Sequence, residues 1–517
     1  MRKVFMTLIC AVLLAVFLSL SGTASGATLY VGPGETYTEI QPAINAAING
    51  DTIIVRDGTY TGANNKNLDF GGKTITLKSE NGPQYCVIDC QGSGRGFYFH
   101  SGETSESIVD GFTIKNGSWP YVRWYEGGGG IYCYYSSPTI RNCIIIGNTC
   151  NGAWGGAIAN ERSSPQIINC IISANAGGWG GGISNAFSSP QIINCTISVN
   201  YASAHGGGIL SYSSATATKN CVIIGNVTAG FGGGINDQYC SGPITNCTFS
   251  GNSAVWGGGI YVSNCSPSIT NSIFWEDYAS KFGPEVFSWS GSHPTIQYSD
   301  IRGGQSGVYQ TPDALINWGE WKPWPGNGNI NADPVFVGGG DYHLTEFSPC
   351  VDVGTDAGLY TDIDGDTRPY DVPNWGKDGT GDEFDMGADE FAPPCYDFYG
   401  FIEPLPFEDS SEVRTYKSNR IIPVKFRLYD SFGEEITSLS EPPVISVLYA
   451  GSSNPGGDPT EYDVTGQADD GDTFRYSDEN WIFNLSMRSF MVDSSYDIIV
   501  IVPETGCSYQ VRIHLVK

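Results

Sequence analysis

Apolar, glycine and asparagine positions recur in one frame between residues 127 and 272. Each unit has a glycine-rich run that ends in Ile and an Asn eleven residues later, and five units have a second Asn after six more residues. The Ile column is Ile131, Ile158, Ile183, Ile209, Ile235 and Ile260; the first Asn column is Asn142, Asn169, Asn194, Asn220, Asn246 and Asn271; the second Asn column is Asn148, Asn175, Asn200, Asn226 and Asn252. A repeat of 25 to 27 residues without helical periodicity predicts a stacked solenoid.

Short β-prone runs fill each unit and are separated by Gly, Ser-Pro and Asn. Residues 138–140 and 143–146 are two such runs in the first unit. The units leave no room for crossover helices, so their strands become parallel neighbours only by coiling round one axis. The pattern therefore predicts an all-β parallel β-helix. Residues 39–48 have apolar side chains at helical spacing, which predicts a short helix that caps one end of the core.

Stacking brings equivalent side chains of successive coils to about 4.8 Å from one another, so each sequence column becomes a ladder. Ladder Asn side chains are expected to hydrogen-bond to the next coil. A Cys follows the first Asn in five units, and we expect buried free thiols at Cys143, Cys170, Cys195, Cys221 and Cys247. Cys240 and Cys265 share another position, five residues after the Ile, and are expected to lie within disulfide distance.

All of the length variation falls between the second Asn and an aromatic position. That position, the aromatic ladder, is occupied by Trp154, Trp179, His205, Phe231 and Trp256. A segment that tolerates length changes predicts an exposed loop. Two hypotheses follow for its rings: they bind an extended glycan, because sugar faces pack on aromatic rings, or they stack on one another and cover the glycine-rich start of the next strand.

The two ends of the repeat predict further parts of the chain. Residues 1–27 have the form of a secretory signal, with Arg2 and Lys3 before an apolar run at 8–20 and small residues at 25–27. We predict the β-helix with its cap at 28–300, its acidic end segment at 301–391, a linker at 392–394 and a small β-sandwich at 395–517. No stretch after the signal is long and apolar enough to span a bilayer. The expected location is secreted or at the cell surface.

The net charge of the chain limits the kinds of partner that it is expected to bind. The formal net charge of −28 argues against nucleic acid and anionic membranes, which bind basic patches. The carboxylates concentrate outside the regular coils, and Asp362, Asp364 and Asp366 alternate as in acidic calcium loops. A structural calcium at these three residues and a solvated acidic turn are both open. No motif requires a cofactor, and the scattered His and the lack of Cys-x-x-Cys disfavour zinc.

Three stretches resemble known families. Phe-Ser-Gly-Asn at 249–252, followed by Gly-Gly-Gly-Ile at 257–260, resembles the repeats of chlamydial polymorphic outer-membrane proteins. The wider region, including residues 89–97, looks like secreted right-handed β-helix proteins of the pectin-lyase-like superfamily, which implies right-handed coiling. Pro-Val-Lys-Phe at 423–426 resembles the PxKF domain of bacterial secreted proteins, which implies an Ig-like β-sandwich.

Enzymes of the pectin-lyase-like superfamily use clustered charged side chains, and the regular coils lack such a cluster. The leading hypothesis is therefore a non-catalytic secreted or cell-surface protein that binds an extracellular glycan or a surface protein, with no catalytic residue assigned. A polysaccharide lyase or glycoside hydrolase is the alternative; it would use Asp89, Asp110, Arg95 and Glu126 in the early coils, or the acidic segment. A structural envelope protein is the third hypothesis.

Overall fold

The computed structural model divides the chain into two compact units, Met1–Phe391 and Ala392–Lys517. It describes residues 26–120, 126–318, 328–345, 347–370 and 384–391, and mainly strands thereafter. Nearly all of the predicted signal at 1–27 and the whole predicted linker at 392–394 lie outside the described residues. Among the described helices, none has the length and apolar character that a bilayer crossing requires.

Three parallel sheets run along the first unit, and a typical regular coil adds two strands to the largest sheet and one to each of the others. The 20-stranded sheet comprises Thr28–Val31, Thr52–Val55, Gly58–Tyr60, Thr76–Ser79, Cys86–Asp89, Ile108–Asp110, Thr113–Lys115, Thr139–Arg141, Ile144–Ile146, Gln166–Ile168, Ile171–Ser173, Gln191–Ile193, Thr196–Ser198, Ala217–Ile224, Ile244–Ser250, Ser268–Thr270, Ile273–Trp275, Thr295–Gln297, Asp300–Ile301 and Asn317–Trp318. The nine-stranded sheet comprises Phe97–Phe99, Ile131–Tyr134, Ile158–Glu161, Ile183–Ala186, Ile209–Tyr212, Ile235–Gln238, Ile260–Ser263, Val286–Trp289 and Val308–Gln310. The seven-stranded sheet comprises Ser118–Pro120, Thr149–Asn151, Ala176–Trp179, Tyr201–His205, Val227–Thr228, Ser253–Trp256 and Tyr278–Phe282.

The register of these sheets confirms the predicted coil. Ile131 pairs with Ile158, and Ile158 with Ile183, so residues of one sequence column are direct neighbours. The Ile column is buried in a continuous core that extends through the coils. The chain therefore winds round one apolar axis as a parallel β-helix.

A short helix, Ile40–Ala46, forms within the segment 39–48 for which a helix was predicted. Ile40, Ala43 and Ile44 are fully buried and belong to the same core as the coils. The helix packs on the first two strands of the 20-stranded sheet and so covers apolar side chains that have no preceding coil. Two further turns, Ala63–Asn65 and Gly304–Gly307, are 3-10 helices.

The second Asn column forms the expected ladder inside the coils. Asn175 donates both its backbone N–H and its Nδ2 to Oδ1 of Asn200, at 3.0 Å each. Its Nδ2 also donates to the carbonyl of Ile145, at 2.9 Å. The same pattern recurs from Asn148 to Asn252, so one amide per coil joins each turn to the next without leaving a buried donor unpaired.

The cysteine columns are buried free thiols, as expected for Cys143, Cys170, Cys195, Cys221 and Cys247. Cys240 and Cys265 are also free thiols, and their Sγ atoms lie 3.5 Å apart. The predicted proximity of this pair is therefore confirmed, without a disulfide between them.

The prediction of an exposed loop after the second Asn is wrong for most of this segment. It forms strands of the seven-stranded sheet, such as Ala176–Trp179 and Ser253–Trp256. Part of the length variation is absorbed as shifts of register, between Gly177 and Trp179 and between Ala254 and Trp256, and part as short turns at 152–153 and 229–230. A parallel sheet accommodates an extra residue as a bulge, so a change of length did not require a loop.

The acidic end segment folds back along the first Asn column of the coils. Nδ2 of Asn271 donates to the carbonyl of Thr355, and Nδ2 of Asn220 to that of Thr361, both at 2.6 Å. The backbone N–H of Gly387 donates to the carbonyl of Asn271, at 2.8 Å. An antiparallel hairpin, Phe336–Gly338 and Asp341–Leu344, lies within this segment. The segment is thus an integral part of the first unit.

The described strands of the second unit form two sheets. One comprises Asp397–Tyr399, Ile421–Tyr429, Asn480–Ser486 and Arg475–Ser477; the other comprises Arg414–Lys417, Cys507–Val516, Ser494–Val502, Val444–Ser452 and Glu461–Tyr462. The Pro-Val-Lys-Phe motif lies in Ile421–Tyr429, where Val424 and Phe426 are buried. An Ig-like arrangement of these sheets stays a prediction.

Candidate functional site

The aromatic ladder exists as a row of residues in register. Successive rings are in contact from coil to coil: the ring centroids of Trp154 and Trp179 are 5.6 Å apart, with planes 7° from parallel. Trp179 meets His205 edge-on, at 4.7 Å and 79°. His205 and Phe231 stack at 4.5 Å, and Phe231 meets Trp256 at 4.8 Å with a 48° tilt. The predicted column is therefore a continuous row of aromatic contacts, stacked at some steps and angled at others.

These rings also pack against the outer surface of the nine-stranded sheet. Trp154, only 4% exposed, packs with Ala186 and Leu210, and Phe231 stacks on Tyr261 at 4.7 Å. The other ladder rings are half-buried. Stacking and coverage are thus part of the ladder's role, while the half-buried rings keep part of their surface available to solvent.

His205 is the polar member of the ladder. Burial lowers its pKa to about 4, so its imidazole is neutral at physiological pH. Its Nδ1 accepts the backbone N–H of Phe231, at 3.2 Å. In this form His205 acts as a flat ring between Trp179 and Phe231 rather than as a charge.

A second column, missed in the sequence, lies where each strand of the nine-stranded sheet ends. This corner column comprises Tyr135, Arg162, Phe187, Ser213, Tyr239 and Asn264. Each residue follows the Ile of its unit by four positions, and each has a left-handed backbone, with φ between 48° and 58°. That constant spacing was the signal that could have found the column.

The aromatic members of the corner column are exposed at a conformation that disfavours them. Tyr135, Phe187 and Tyr239 are 53%, 43% and 57% exposed and occupy alternate coils. A left-handed backbone costs a residue with a Cβ roughly 1–2 kcal/mol, and Gly or Asn adopts it more readily. These three bulky rings are thus exposed at a backbone conformation that Gly or Asn would adopt with less strain.

Tyr212 joins the ladder to the corner column. Its ring meets Trp154 edge-on at 6.1 Å, Phe187 at 5.9 Å and Tyr239 at 5.7 Å. The guanidinium of Arg162 lies 5.5 Å from the rings of both Tyr135 and Phe187, and its Nη1 donates to the Tyr135 hydroxyl, at 2.8 Å. The ladder and the corner column thus border one surface of the nine-stranded sheet, here called the aromatic face.

The carboxylates of the regular coils do not form a pair on this face. The hydroxyl of Tyr132 donates a hydrogen bond to Oε2 of Glu161, at 2.7 Å. Asp237 lies inside the coil, where burial raises its pKa to about 7. The arrangement provides aromatic contact area rather than two carboxylates flanking a bond.

The charged residues of the early coils are engaged in structural contacts. Asp89 accepts the backbone N–H of Gln91, at 2.9 Å, as expected of a turn residue. Asp110 instead forms an ion pair with Arg141, with Nη2 and Oδ2 2.8 Å apart. Arg95 is buried over the ring of Trp119, 3.4 Å from its centroid, and its Nε donates to the carbonyl of Gly127, at 2.9 Å.

Asp362 organises the turn in which the calcium site was predicted. Its Oδ1 accepts the backbone N–H groups of Asp364, Gly365 and Asp366, at 2.8 to 2.9 Å, and its Oδ2 accepts that of Glu390, at 3.2 Å. Asp362 is fully buried, whereas Asp364 and Asp366 are exposed. A calcium ion bound by Asp362, Asp364 and Asp366 stays a prediction, with the Asp362 oxygens already committed to backbone N–H groups.

A different cluster forms where the acidic segment meets the coils. Ligand atoms of His343, Asp364 and Asp389 all lie within 4.8 Å of one another, the one such group of three among the described His, Cys, Asp and Glu residues. A cleft of about 570 Å³ adjoins them. Its other wall comes from the 20-stranded sheet and its neighbouring turns and includes Ile171, Thr196, Val222 and Ile224. We call this cluster and its cleft the His343 site.

Electrostatics shape the His343 site. Burial opposes charge on His343, but Asp364 and Asp341 outweigh it and raise the pKa of the imidazole to about 9. Nε2 of His343 lies 2.7 Å from Oδ2 of Asp364, and Nδ1 contacts Oδ1 of Asp341. Burial raises the pKa of Asp389 to about 6. No sequence pattern predicted this site, because its members come from three stretches outside the repeat.

Comparison with known proteins agrees with the coil geometry. The family model described as right handed beta helix region matches residues 51–234 and 151–301. The chain is a parallel β-helix protein. A solved structure of a mannuronic acid specific polysaccharide family 6 lyase enzyme from human gut microbiota is similar over 53% of this chain and 80% of that one, at 15% identity and a TM-score of 0.22. So distant a likeness says nothing about activity. Among curated proteins, no sequence matches significantly.

Proposed function

We propose that this β-helix is a non-catalytic, exported binding protein that holds an extracellular glycan on its aromatic face. The observation that carries the proposal is the corner column. Three exposed aromatic rings, Tyr135, Phe187 and Tyr239, occupy left-handed positions in alternate coils. A purely structural corner would favour Gly or Asn at these positions, so the rings are best explained by what they contact outside the chain.

The chemistry of the face suits sugar rings. The C–H faces of sugars pack on aromatic rings, and Tyr hydroxyls add hydrogen bonds at the rim. The three rings repeat every second coil, about 10 Å apart at the usual spacing of stacked strands. Several weak contacts along one extended chain combine into useful affinity. Trp179, His205, Phe231 and Trp256 would border the same glycan, and Trp154 would support them from beneath.

The test is retention of the full chain on immobilised polysaccharides, with released sugar ends measured in the same samples. Replacement of Tyr135, Phe187 and Tyr239 by Ala should abolish retention and leave the thermal midpoint nearly unchanged. The matched control replaces Tyr85, Phe347 and Tyr360 by Ala, because these rings are at least as exposed but lie outside the aromatic face. This control should be retained like the original protein.

Other outcomes would refute the proposal. Equal retention of the triple variant and the original protein would remove the aromatic face from binding. Newly formed reducing or unsaturated ends would support the alternative, a polysaccharide lyase or glycoside hydrolase. If the aromatic face binds a surface protein and no glycan, the glycan is refuted as the partner and the aromatic face is retained as the binding surface.

A further inference from the structure

We propose that His343, Asp364 and Asp389 form a binding site for a divalent transition-metal ion of the zinc class. The three side chains bring one imidazole nitrogen and two carboxylate oxygens within 4.8 Å of one another. Imidazole and carboxylate together are a common donor set for zinc. This inference is independent of glycan binding, because it concerns the other side of the coil and the acidic segment.

The surrounding structure holds each of the three ligands in place. His343 lies on the strand Asp341–Leu344, and Asp364 lies in the turn that Asp362 anchors through three backbone N–H groups. Asp389 is fixed by the backbone N–H of Leu344, which donates to its Oδ2, at 2.6 Å. Three separate parts of the acidic segment therefore converge on one point.

Metal-binding histidines usually donate a hydrogen bond from the ring nitrogen that does not bind the metal, and in His343 the partner of that nitrogen is Asp341. Its Oδ1 contacts Nδ1 of His343, which directs Nε2 towards Asp364. A carboxylate on the far nitrogen fixes the tautomer and makes the near nitrogen a better donor to a metal. Asp341 is thus a positioning residue rather than a ligand.

Asp389 is the buried member of the cluster, whereas His343 and Asp364 are exposed. Its side chain is 8% exposed, so its carboxylate is largely removed from water. Ionising a carboxyl away from water is costly, and a cation beside it offsets that cost.

The donor set favours zinc over calcium. Calcium binds six to eight oxygen ligands, whereas an imidazole nitrogen with two carboxylates suits a four-coordinate zinc ion. Three protein ligands leave one position for water or for an oxygen of a molecule in the adjoining cleft. The described cysteines are all buried, and Cys170 is the one among them that lines the cleft.

The test is calorimetric titration of the full chain, first treated with a chelator, with zinc chloride and separately with calcium chloride. The original protein should bind one zinc ion, and His343→Ala and Asp364→Asn should abolish this binding. Asp341→Asn should weaken it by roughly 10–100-fold, the usual effect of losing such an outer contact. His293→Ala and Asp356→Asn are matched controls on exposed residues outside the cluster and should bind zinc unchanged.

The outcomes separate the alternatives. His343 and Asp364 are exposed, so their variants are expected to fold, which circular dichroism will verify. Zinc binding that survives His343→Ala would overturn the proposal and point to the thiols. Calcium binding without zinc binding, unchanged in His343→Ala, would overturn it in favour of the turn at Asp362, Asp364 and Asp366. Loss of zinc binding with glycan retention intact would leave both proposals standing.

Discussion

Asn252 donates both its backbone N–H and its Nδ2 to Oδ1 of Asp277, at 2.7 and 2.9 Å. Asp277 follows Asn271 by six residues and so stands where the five preceding coils have an Asn. The second oxygen of Asp277 accepts no hydrogen bond from a described donor and faces the carboxyl of Glu285, which also has an unpaired buried oxygen. Two buried carboxyls this close are stable only when they share a proton.

We predict that Glu285→Gln stabilises the protein above neutral pH. Burial and the neighbouring Asp277 carboxyl raise the pKa of Glu285 above its ordinary value, and Arg302 opposes this shift only weakly. Burial likewise raises the pKa of Asp277. A carboxyl whose pKa is raised on folding destabilises the fold increasingly as pH rises above its unfolded pKa, about 4. The thermal midpoint of the original protein should therefore fall from pH 5 to pH 9, and that of Glu285→Gln should fall less. Exposed Glu106→Gln is the control and should follow the original protein. If the thermal midpoint of Glu285→Gln falls with pH as steeply as that of the original protein, the shared proton is contradicted.

Asp237→Asn should remove another part of the same pH dependence. Asp237 is in register with Ser211 and belongs to an inner column that Asn160 and Asn185 occupy in earlier coils, so an amide fits there. Burial raises its pKa to about 7, against about 3.9 when unfolded, which destabilises the ionised fold by up to roughly 4 kcal/mol. Denaturant midpoints should agree at pH 4 and favour the variant at pH 8. A variant less stable than the original at pH 8 would show that the carboxylate is required.

Trp154→Ala should destabilise the β-helix more than any single change at the exposed rings. The side chain is almost fully buried against Ala186 and Leu210, and large aromatic-to-Ala changes in a core cost about 3–5 kcal/mol. Trp256→Ala, which removes a half-buried ring of the same ladder, is the matched comparison and should cost less. Denaturant titration measures both. Equal losses would mean that the ladder supports the fold uniformly along its length.

Tyr239→Gly should gain stability and lose binding. Glycine relieves the left-handed backbone at φ 58°, worth roughly 1–2 kcal/mol, against the loss of an edge contact with Tyr212. Retention on the glycan column should fall, because an exposed ring of the aromatic face is lost. Asn264→Gly is the control at the same column, where Asn already tolerates the conformation and the gain should be small. A destabilised Tyr239→Gly would show that the ring is structural.

The repeat made the coils predictable and left the acidic segment obscure. Because Ile131 and Ile158 are one period apart, their contact follows directly from the sequence, as do the Asn and aromatic ladders. The loop before Trp179 was wrong because a bulge and a loop leave the same length variation in a sequence. His343 and Asp389 meet across a non-repeating stretch, where no period relates position in the chain to position in space.

The Asn ladder has a direction and an end. Each interior amide receives from the coil before it and donates to the coil after it, so an interior unit can be duplicated or deleted and its neighbours rejoin through the same hydrogen bonds. Asp277 is not interchangeable in this way: its carboxyl accepts from Asn252 but has no amide hydrogen to donate to the coil after it. One change of amide to acid therefore ends the ladder, while strands such as Val286–Trp289 and Val308–Gln310 continue beyond it. Exchange of whole coils through these hydrogen bonds is confined to the Asn side of Asp277.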